Sequence, residues 1–357
     1  MCAKKAIKAV FKRIPFGLES KAVVQIIEYL FRPSYDSLIR LRAKIRAQAI
    51  KAASKNTAVK DFIICFDLSV SALGLGEVLY SVMLARYLEL HQKNVRFVFI
   101  KDKLRDDFSA IYSDITSFEK QFEAMRLIAD TLLDTRYSRV QCLSWKDFEK
   151  SIEFSASEKC TSFVIMEDRV RLREPIYNHM FNTLNWMLSY ESDDFIDKFL
   201  LNYDQLSRLA GISKPCDKYV TFCARYSLRW GVERNLTLKN LKDIYFYLSK
   251  VYPSHKIMLV SDNDGCEYYK KLAHKEKLDI IFSKSYSPTF LGDGALILGS
   301  AYYLQFLGGG IGVVAMFSRV PYEITSLLAN EKMWSKSKFM YWQSELQKFN
   351  PNKKFNF

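Results

Sequence analysis

The chain has 357 residues, 49% of them hydrophobic and 26% charged, with a net charge of +14. That length and balance supply core material for two globular units and exclude a disordered or fibrous chain. Seven cysteines with no CxxC pair, and four scattered histidines, exclude a zinc module and a disulfide framework, so the thiols are expected to be reduced and mostly buried and no metal site is expected.

The charge is concentrated at the start. Residues 1–60 hold fourteen Lys or Arg against three acids, and apolar residues (Ile7, Val10, Phe11, Ile14, then Val23, Ile27, Leu30) recur there at helical spacing. A basic amphipathic helix of this kind suits an anionic membrane surface. The alternative is an arm packed on the body of the protein. No helix-turn-helix, RRM or KH pattern follows, so nucleic acid is not expected as a partner. No apolar segment with a small-residue cleavage site follows the basic start, which points to a cytoplasmic protein, peripheral on the inner face of the membrane.

From residue 61 the pattern alternates between strand and helix. Asp61–Leu68 reads as a strand, Ser69–Gly76 as a small-residue turn, Glu77–His91 as a helix and Val95–Ile100 as a second strand, a βαβ opening. Helices are predicted near 117–134 and 145–151, a strand at Ser162–Met166 and helices within 174–210. Gly211–Asp217, with a Gly and a Pro, reads as a linker. Then come a strand at Tyr219–Ala224, a helix near 237–250, a strand at Lys256–Val260, a helix over 266–276 and a strand at Leu278–Phe282. A helix near 293–306, the triple glycine, and a last strand at Gly312–Phe317 follow, and the tail from Lys332 reads as a helix with a loose basic end. Gly294–Ser318 carries no charge and has the length of a membrane span, but the glycines and Gln305 interrupt it, so a buried helix, turn and strand are expected.

The expected fold class is α/β, with two Rossmann-like doubly wound domains facing a cleft. The boundaries are a basic helical extension over 1–60, a first domain over 61–212, a second over 213–330, and a helix and tail over 331–357. In open α/β sheets ligands bind beyond the carboxyl ends of the strands.

Four constellations fall at such ends. Gly74 and Gly76 allow a tight turn after the first strand, and Glu77 opens the following helix, as a general base aimed at an acceptor hydroxyl or as a first-turn acid favoured by the helix dipole. Leu79 stands where GxGxxG needs its third glycine, so this is no dinucleotide fingerprint. Arg225, Arg229, Arg234 and Asn235 follow the Tyr219–Ala224 strand and suit a diphosphate, because arginine pairs bidentately with phosphate and stays charged; a solvated basic loop is the alternative. Asp262 and Asp264, after the next strand, suit a ribose or sugar, or an Asx turn that caps a helix. Gly308, Gly309 and Gly310, with Gly312, put four glycines in five positions; free N–H groups aimed at an anion explain that run, as does close packing.

The turn and the glycine run carry a resemblance. Gly76-Glu77-Val78-Leu79 resembles the Gly-Asp-Val/Ile-Leu motif of bacterial heptosyltransferases and related glycosyltransferases of the two-Rossmann (GT-B) fold, with Glu in place of Asp. Gly308–Gly310 and Pro321 resemble the glycine-rich turn and Pro-ended strand of the donor lobe in that fold, without the Ser-Gly-Pro-x-His signature. Arg225 and Arg234-Asn235 look like the donor-phosphate loop of such transferases. The resemblance covers about residues 61–101 and 219–323. It implies an enzyme that moves a sugar from a nucleotide-sugar donor to a lipid-linked, lipopolysaccharide or capsule-type glycan acceptor. Glu77 would be its base, inversion its simplest outcome, and the nucleotide sugar a co-substrate with no further cofactor. A membrane-associated scaffold and a Rossmann oxidoreductase are the rival readings.

Overall fold

The computed structural model describes residues 43–57, 59–69, 74–101, 115–157, 161–166, 177–228, 232, 235–306, 310–325, 350 and 353–356. The membrane expectation for 1–60 therefore falls mostly outside the described residues, as do Arg229, Arg234, Gly308 and Gly309.

The first sheet is four-stranded and fully parallel: β1 (Val59–Asp67), β2 (Asn94–Ile100), β3 (Ser138–Leu143) and β4 (Thr161–Met166), in the order β3-β2-β1-β4. β3 was not predicted; SRVQCL alternates weakly, and as an edge strand it leaves Cys142 exposed, against the expectation of a buried thiol. Cys65, Cys223 and Cys266 are buried.

The second sheet has six parallel strands: β5 (Tyr219–Cys223), β6 (Lys256–Val260), β7 (Ile280–Phe282), β8 (Tyr303–Phe306), β9 (Tyr322–Thr325) and β10 (Lys353–Asn356). Their order is β10-β9-β8-β5-β6-β7. Counted from β5 as the first strand, that is 3-2-1-4-5-6, the Rossmann order. The first sheet, 3-2-1-4, has the corresponding core. Two Rossmann-like lobes thus follow from topology.

Three expectations fail in the second lobe. The helix expected over 293–306 ends at Leu298, and Tyr303–Phe306 is a buried strand. Gly312–Met316 is a short helix, not a strand, and the last strand of that run is β9. Periodicity cannot separate a buried helix from a buried strand where every residue is apolar. The tail returns as β10, paired in parallel with β9, so its end is not loose.

The helices are α1 (residues 43–55), α2 (Leu75–Leu90), α3 (Ile115–Leu132), α4 (Trp145–Ser157), α5 (Tyr177–Leu188), α6 (Asp193–Phe199), α7 (Tyr203–Ala210), α8 (Leu238–Val251), α9 (Asn263–Lys275), α10 (Phe290–Leu298) and α11 (Gly312–Met316). Side chains write their starts: Ser192, Asn202, Thr237, Asp262 and Thr289 each accept from a backbone N–H three residues on. Gly211 ends α7 in the left-handed region, at φ 64°.

Helix α2 is buried on nearly all sides, from Val78 to Leu88. One apolar core runs through it, joining Phe62, Phe66 and Phe99 of the first lobe to Tyr303, Val314, Phe317 and Tyr322 of the second. Tyr80 meets Phe317 edge to face at 5.9 Å. Arg86 donates to the carbonyls of Lys198 and Phe199, and Leu201 N–H donates to Phe317 O at 2.8 Å, so α6 and its flank tie both lobes. The uncharged stretch is divided among α10, β8 and α11, and among the described residues no helix is long and apolar enough to cross a membrane.

Candidate active site

The two glycine turns meet. Gly74 is the N-cap of α2 and Gly76 its second residue. A Cβ on Gly76 would stand 2.7 Å from Gly310 Cα and 2.8 Å from its carbonyl oxygen. Reciprocally, a Cβ on Gly310 would stand 2.9 Å from Gly76 N. Neither glycine has a positive φ, so the requirement here is close backbone approach rather than a left-handed conformation. Gly76, after β1, and Gly310, after β8, thus belong to one surface.

Glu77 sits beside that contact, half-buried, with its carboxylate folded over Gly74; a Cβ there would lie 1.9 Å from Glu77 Oε2. This is the third residue of the helix, where a carboxylate also favours the helix start. Burial pushes the Tyr80 phenol of α2 far up, and the charge of Glu77 and then the Tyr322 phenol of the second lobe add to that. Asp67, at the end of β1, accepts from both N–H and Oγ of Ser69 and fixes the start of the turn.

Across the cleft a row of charges caps three neighbouring strands. Arg225, Asp262 and Lys284 each lie two residues beyond the last residue of β5, β6 and β7. The parallel register puts Cys223 against Val260 and Leu259 against Phe282, so the row runs along one sheet edge. Tyr269 fixes the Arg225 end: its hydroxyl donates to Arg225 O at 2.8 Å and accepts from Leu236 N. Asn235 closes the intervening loop with both ends of its amide, accepting from Ser227 N at 2.9 Å and donating to Ser227 O at 2.7 Å. Ser261 Oγ donates to Ala224 O at 2.6 Å and ties the ends of β5 and β6.

Asp262 caps α9, taking the Gly265 N–H at 2.7 Å, while its residue stays open to solvent. Burial of its inner side raises its pKa and the Asp264 charge adds to that, with Lys284 and Arg225 opposing. Asp264 itself is exposed in the first turn of α9.

Lys284 and Asp293 were not singled out from the sequence. Lys284 donates to Asp293 at 2.5 Å, and Asp293 is buried in the first turns of α10. Burial pushes the Asp293 carboxyl up to about 6, against the pull of Lys284. A signal was present: these are the only two charges between Asp279 and Arg319.

The strand order decides which end of a ligand goes where. It reverses between β5 and β8, and Rossmann lobes bind at that switch point. The Arg225 loop and Gly310 flank it, while Asp262 and Lys284 lie to the β6–β7 side. Among the described residues no three His, Cys, Asp or Glu side chains come together as metal ligands.

Neither a family model nor a curated protein matches the sequence. Solved structures do. The chain is similar to E. coli heptosyltransferase WaaC with ADP, at 10% identity and a TM-score of 0.47, covering 83% of this chain and 92% of that one. It is also similar to E. coli ADP-heptose LPS heptosyltransferase II, at 8% identity and a TM-score of 0.38, over 83% and 90%. UDP-GlcNAc 2-epimerase from Neisseria meningitidis bound to UDP-GlcNAc follows, at 12% identity and a TM-score of 0.31, over 75% and 82%. The fold assignment itself rests on the strand orders.

Proposed function

We propose that the chain is a GT-B-type glycosyltransferase that moves a sugar from a nucleoside diphosphate sugar to a lipid-linked, lipopolysaccharide or capsule-type glycan. The observation that carries this reading is the contact between Gly76 and Gly310, which sets Glu77 near the backbone at Gly310, beside the second lobe's switch point. An acid on one lobe and an anion cradle on the other suit a group transfer across a cleft better than a hydride transfer within one lobe.

In the proposed reaction the acceptor hydroxyl oxygen attacks the anomeric carbon of the donor. Glu77 takes the hydroxyl proton as the new C–O bond forms. The bond to the β-phosphate breaks, and the nucleoside diphosphate leaves with the electron pair. Arg225, Arg229 and Arg234 and the N–H groups of Gly308–Gly310 would hold the growing phosphate charge. Attack opposite the leaving group inverts the anomeric centre, and no metal is assigned a part.

The acceptor would be presented at an anionic membrane. The apolar face of α1 is already occupied, with Ala43, Ala47, Ile50 and Ala53 buried against the first lobe. The lipid contact of the basic arm is therefore assigned to residues 1–42. Deleting 1–42 should abolish co-sedimentation with vesicles containing anionic lipid; undiminished co-sedimentation would remove the assignment.

The decisive experiment is a thermal-shift screen against ADP, GDP, CDP, UDP and their sugars. A binder at one hundred times its Kd stabilises by about 2.7 kcal/mol, a shift of several degrees. No shift with any of them favours the non-catalytic scaffold. With a donor in hand, Glu77→Gln should lower turnover roughly 10²–10⁴-fold and leave donor affinity unchanged.

A further inference from the structure

Gln305 places a carboxamide in an apolar core. It lies in β8, a strand paired on both sides, and is 2% exposed. A buried amide costs free energy unless it is hydrogen-bonded, and an aliphatic side chain would pack there without that cost. Its partners form a polar file along one face of the sheet. The Tyr303 hydroxyl donates to Gln305 Oε1 at 3.1 Å and also bonds the Cys223 thiol. Burial pushes the thiol up to about 12 and the phenol well up, so the file carries no charge at neutral pH.

The file ends on the glycine turn. A Cβ on Gly312 would stand 1.6 Å from Gln305 Oε1, 2.6 Å from Cδ and 3.0 Å from Nε2, so the whole carboxamide lies against Gly312 Cα. Gly312 has no positive φ, so close approach is what requires a glycine there. Gly312 opens α11, and Val313 N–H donates to Gly310 O at 3.3 Å. Gly310 is the residue whose backbone meets Gly76 of the first lobe. A turn rich in glycine has no side chains to hold its own shape and is costly to order. The amide supplies that hold. Cys223, Tyr303, Gln305, Gly312 and Gly310 make one connected path from the core of the second lobe to its contact with the first.

We propose that Gln305 is a positioning residue for the donor's diphosphate: its carboxamide, laid against Gly312, sets the backbone of Gly310–Gly312 in the shape that takes the phosphate charge. The proposal rests on the reading of the glycine turn as an anion cradle. Gln305 acts through the turn and not on the substrate, since it is buried beneath it.

Calorimetric titration with ADP, GDP, CDP and UDP, run beside thermal denaturation, separates this role from plain packing. Gln305→Met keeps the volume and removes the amide. It should lower affinity for whichever nucleoside diphosphate the native protein binds by roughly 3- to 10-fold, the equivalent of one hydrogen bond. Ile244→Val, buried in α8 on the opposite face of the sheet, should lower stability and leave affinity unchanged. Gly312→Ala collides with the amide and should lower both. In a Gln305→Ala background that collision is gone, so Gly312→Ala should cost little further stability while affinity stays low. Native affinity in Gln305→Met overturns the proposal and leaves the donor-lobe reading standing. Should Gln305→Met fail to fold, native affinity in the Gly312→Ala/Gln305→Ala double variant does the same. An affinity loss in Ile244→Val equal to that in Gln305→Met also overturns it, because affinity would then merely follow stability. If none of the four binds the native protein, the cradle reading and the proposal fall together.

Discussion

Two lysine–carboxylate pairs, one in each lobe, are built differently. On the flank of the first lobe, Glu191 Oε1 accepts from Tyr87 Oη at 2.5 Å and from Lys51 Nζ at 3.0 Å, with His91 Nε2 at 3.7 Å. Burial alone would raise the Glu191 pKa, but the hydrogen bonds from Tyr87 and Lys51 outweigh it and the carboxyl is held below its usual range. At the strand ends of the second lobe Lys284 and the Ser283 hydroxyl pull the Asp293 carboxyl down, and burial wins. A lysine–carboxylate pair is thus ruled by its hydrogen bonds in one place and by burial in the other. The Lys51–Glu191–Tyr87 group fastens α1 to the body.

The largest expected effect comes from the pair ruled by burial. The Asp293 carboxyl rises from 3.8 to about 6 on folding. Between those values the folded chain keeps a proton that the unfolded chain has lost, so stability falls as pH rises through that window. At 1.36 kcal/mol per unit the fall is about 3 kcal/mol, complete above pH 6 and absent below pH 3.8. Asp293→Asn should remove this slope in urea denaturation at pH 4 to 7. A slope of the same size in the Asn variant would show that Asp293 is not under this strain.

The pair ruled by its hydrogen bonds predicts the opposite sign. Glu191→Gln should cost roughly 2 kcal/mol at pH 7, as a buried donor pair loses its ionised acceptor. Because the folded pKa is depressed, the Glu191 contribution is present above the ordinary carboxylate pKa and is lost as pH falls through the lower folded value. The native-minus-variant difference should shrink on acidification, where that of Asp293 grows. If the two variants titrate alike, the comparison fails.

Much of the first lobe could be read from the sequence. Asp61–Leu68, Glu77–His91 and Val95–Ile100 are strand, helix and strand within a few residues of β1, α2 and β2. Each has clear turn residues at its ends, and each strand is a short, β-branched or aromatic run. The second lobe resisted after Phe282 because Leu291–Met316 is apolar almost throughout, with Asp293 its one charge, and length and caps had to do the work of periodicity. Thr289 was the missed cap. At the site, the glycine turns could be found in the sequence one by one, but their contact could not, since Gly76 and Gly310 are brought together only by the docking of the lobes. Lys284 and Asp293 stood out by isolation in an uncharged stretch, a signal of burial that periodicity does not register.

That docking gives the next prediction. Gly76→Ala puts a methyl group against the backbone of Gly310, which cannot rotate away. Gly74→Ala meets only the tip of Glu77, a flexible side chain. The first should cost about 1–2 kcal/mol through overpacking and separate the base from the glycine run, lowering turnover. The second should move the Glu77 carboxylate at little cost in stability. Equal stability loss in both would mean the lobes part freely at this point.

The smallest effect tests how far the joint that fastens α1 extends. Lys44 Nζ stands 5.2 Å from the centre of the Trp186 ring, and Lys51 Nζ stands 5.0 Å from that of Tyr190. Trp186 and Tyr190 stack on each other at 6.5 Å, so α1 rests two ammonium groups on one aromatic strip of α5 and its end. Lys51 also has Glu191; Lys44 contributes by its ring contact. Lys44→Met keeps the stem and removes the charge, so the loss should be about 0.5–1 kcal/mol, accompanied by a change in Trp186 emission. Added salt should leave most of that difference in place, because the ring quadrupole is screened less than an exposed ion pair at the same distance. A difference that vanishes at high salt would assign Lys44 to the general basic character of the arm, and would leave the Lys51–Glu191–Tyr87 group as the joint that holds it.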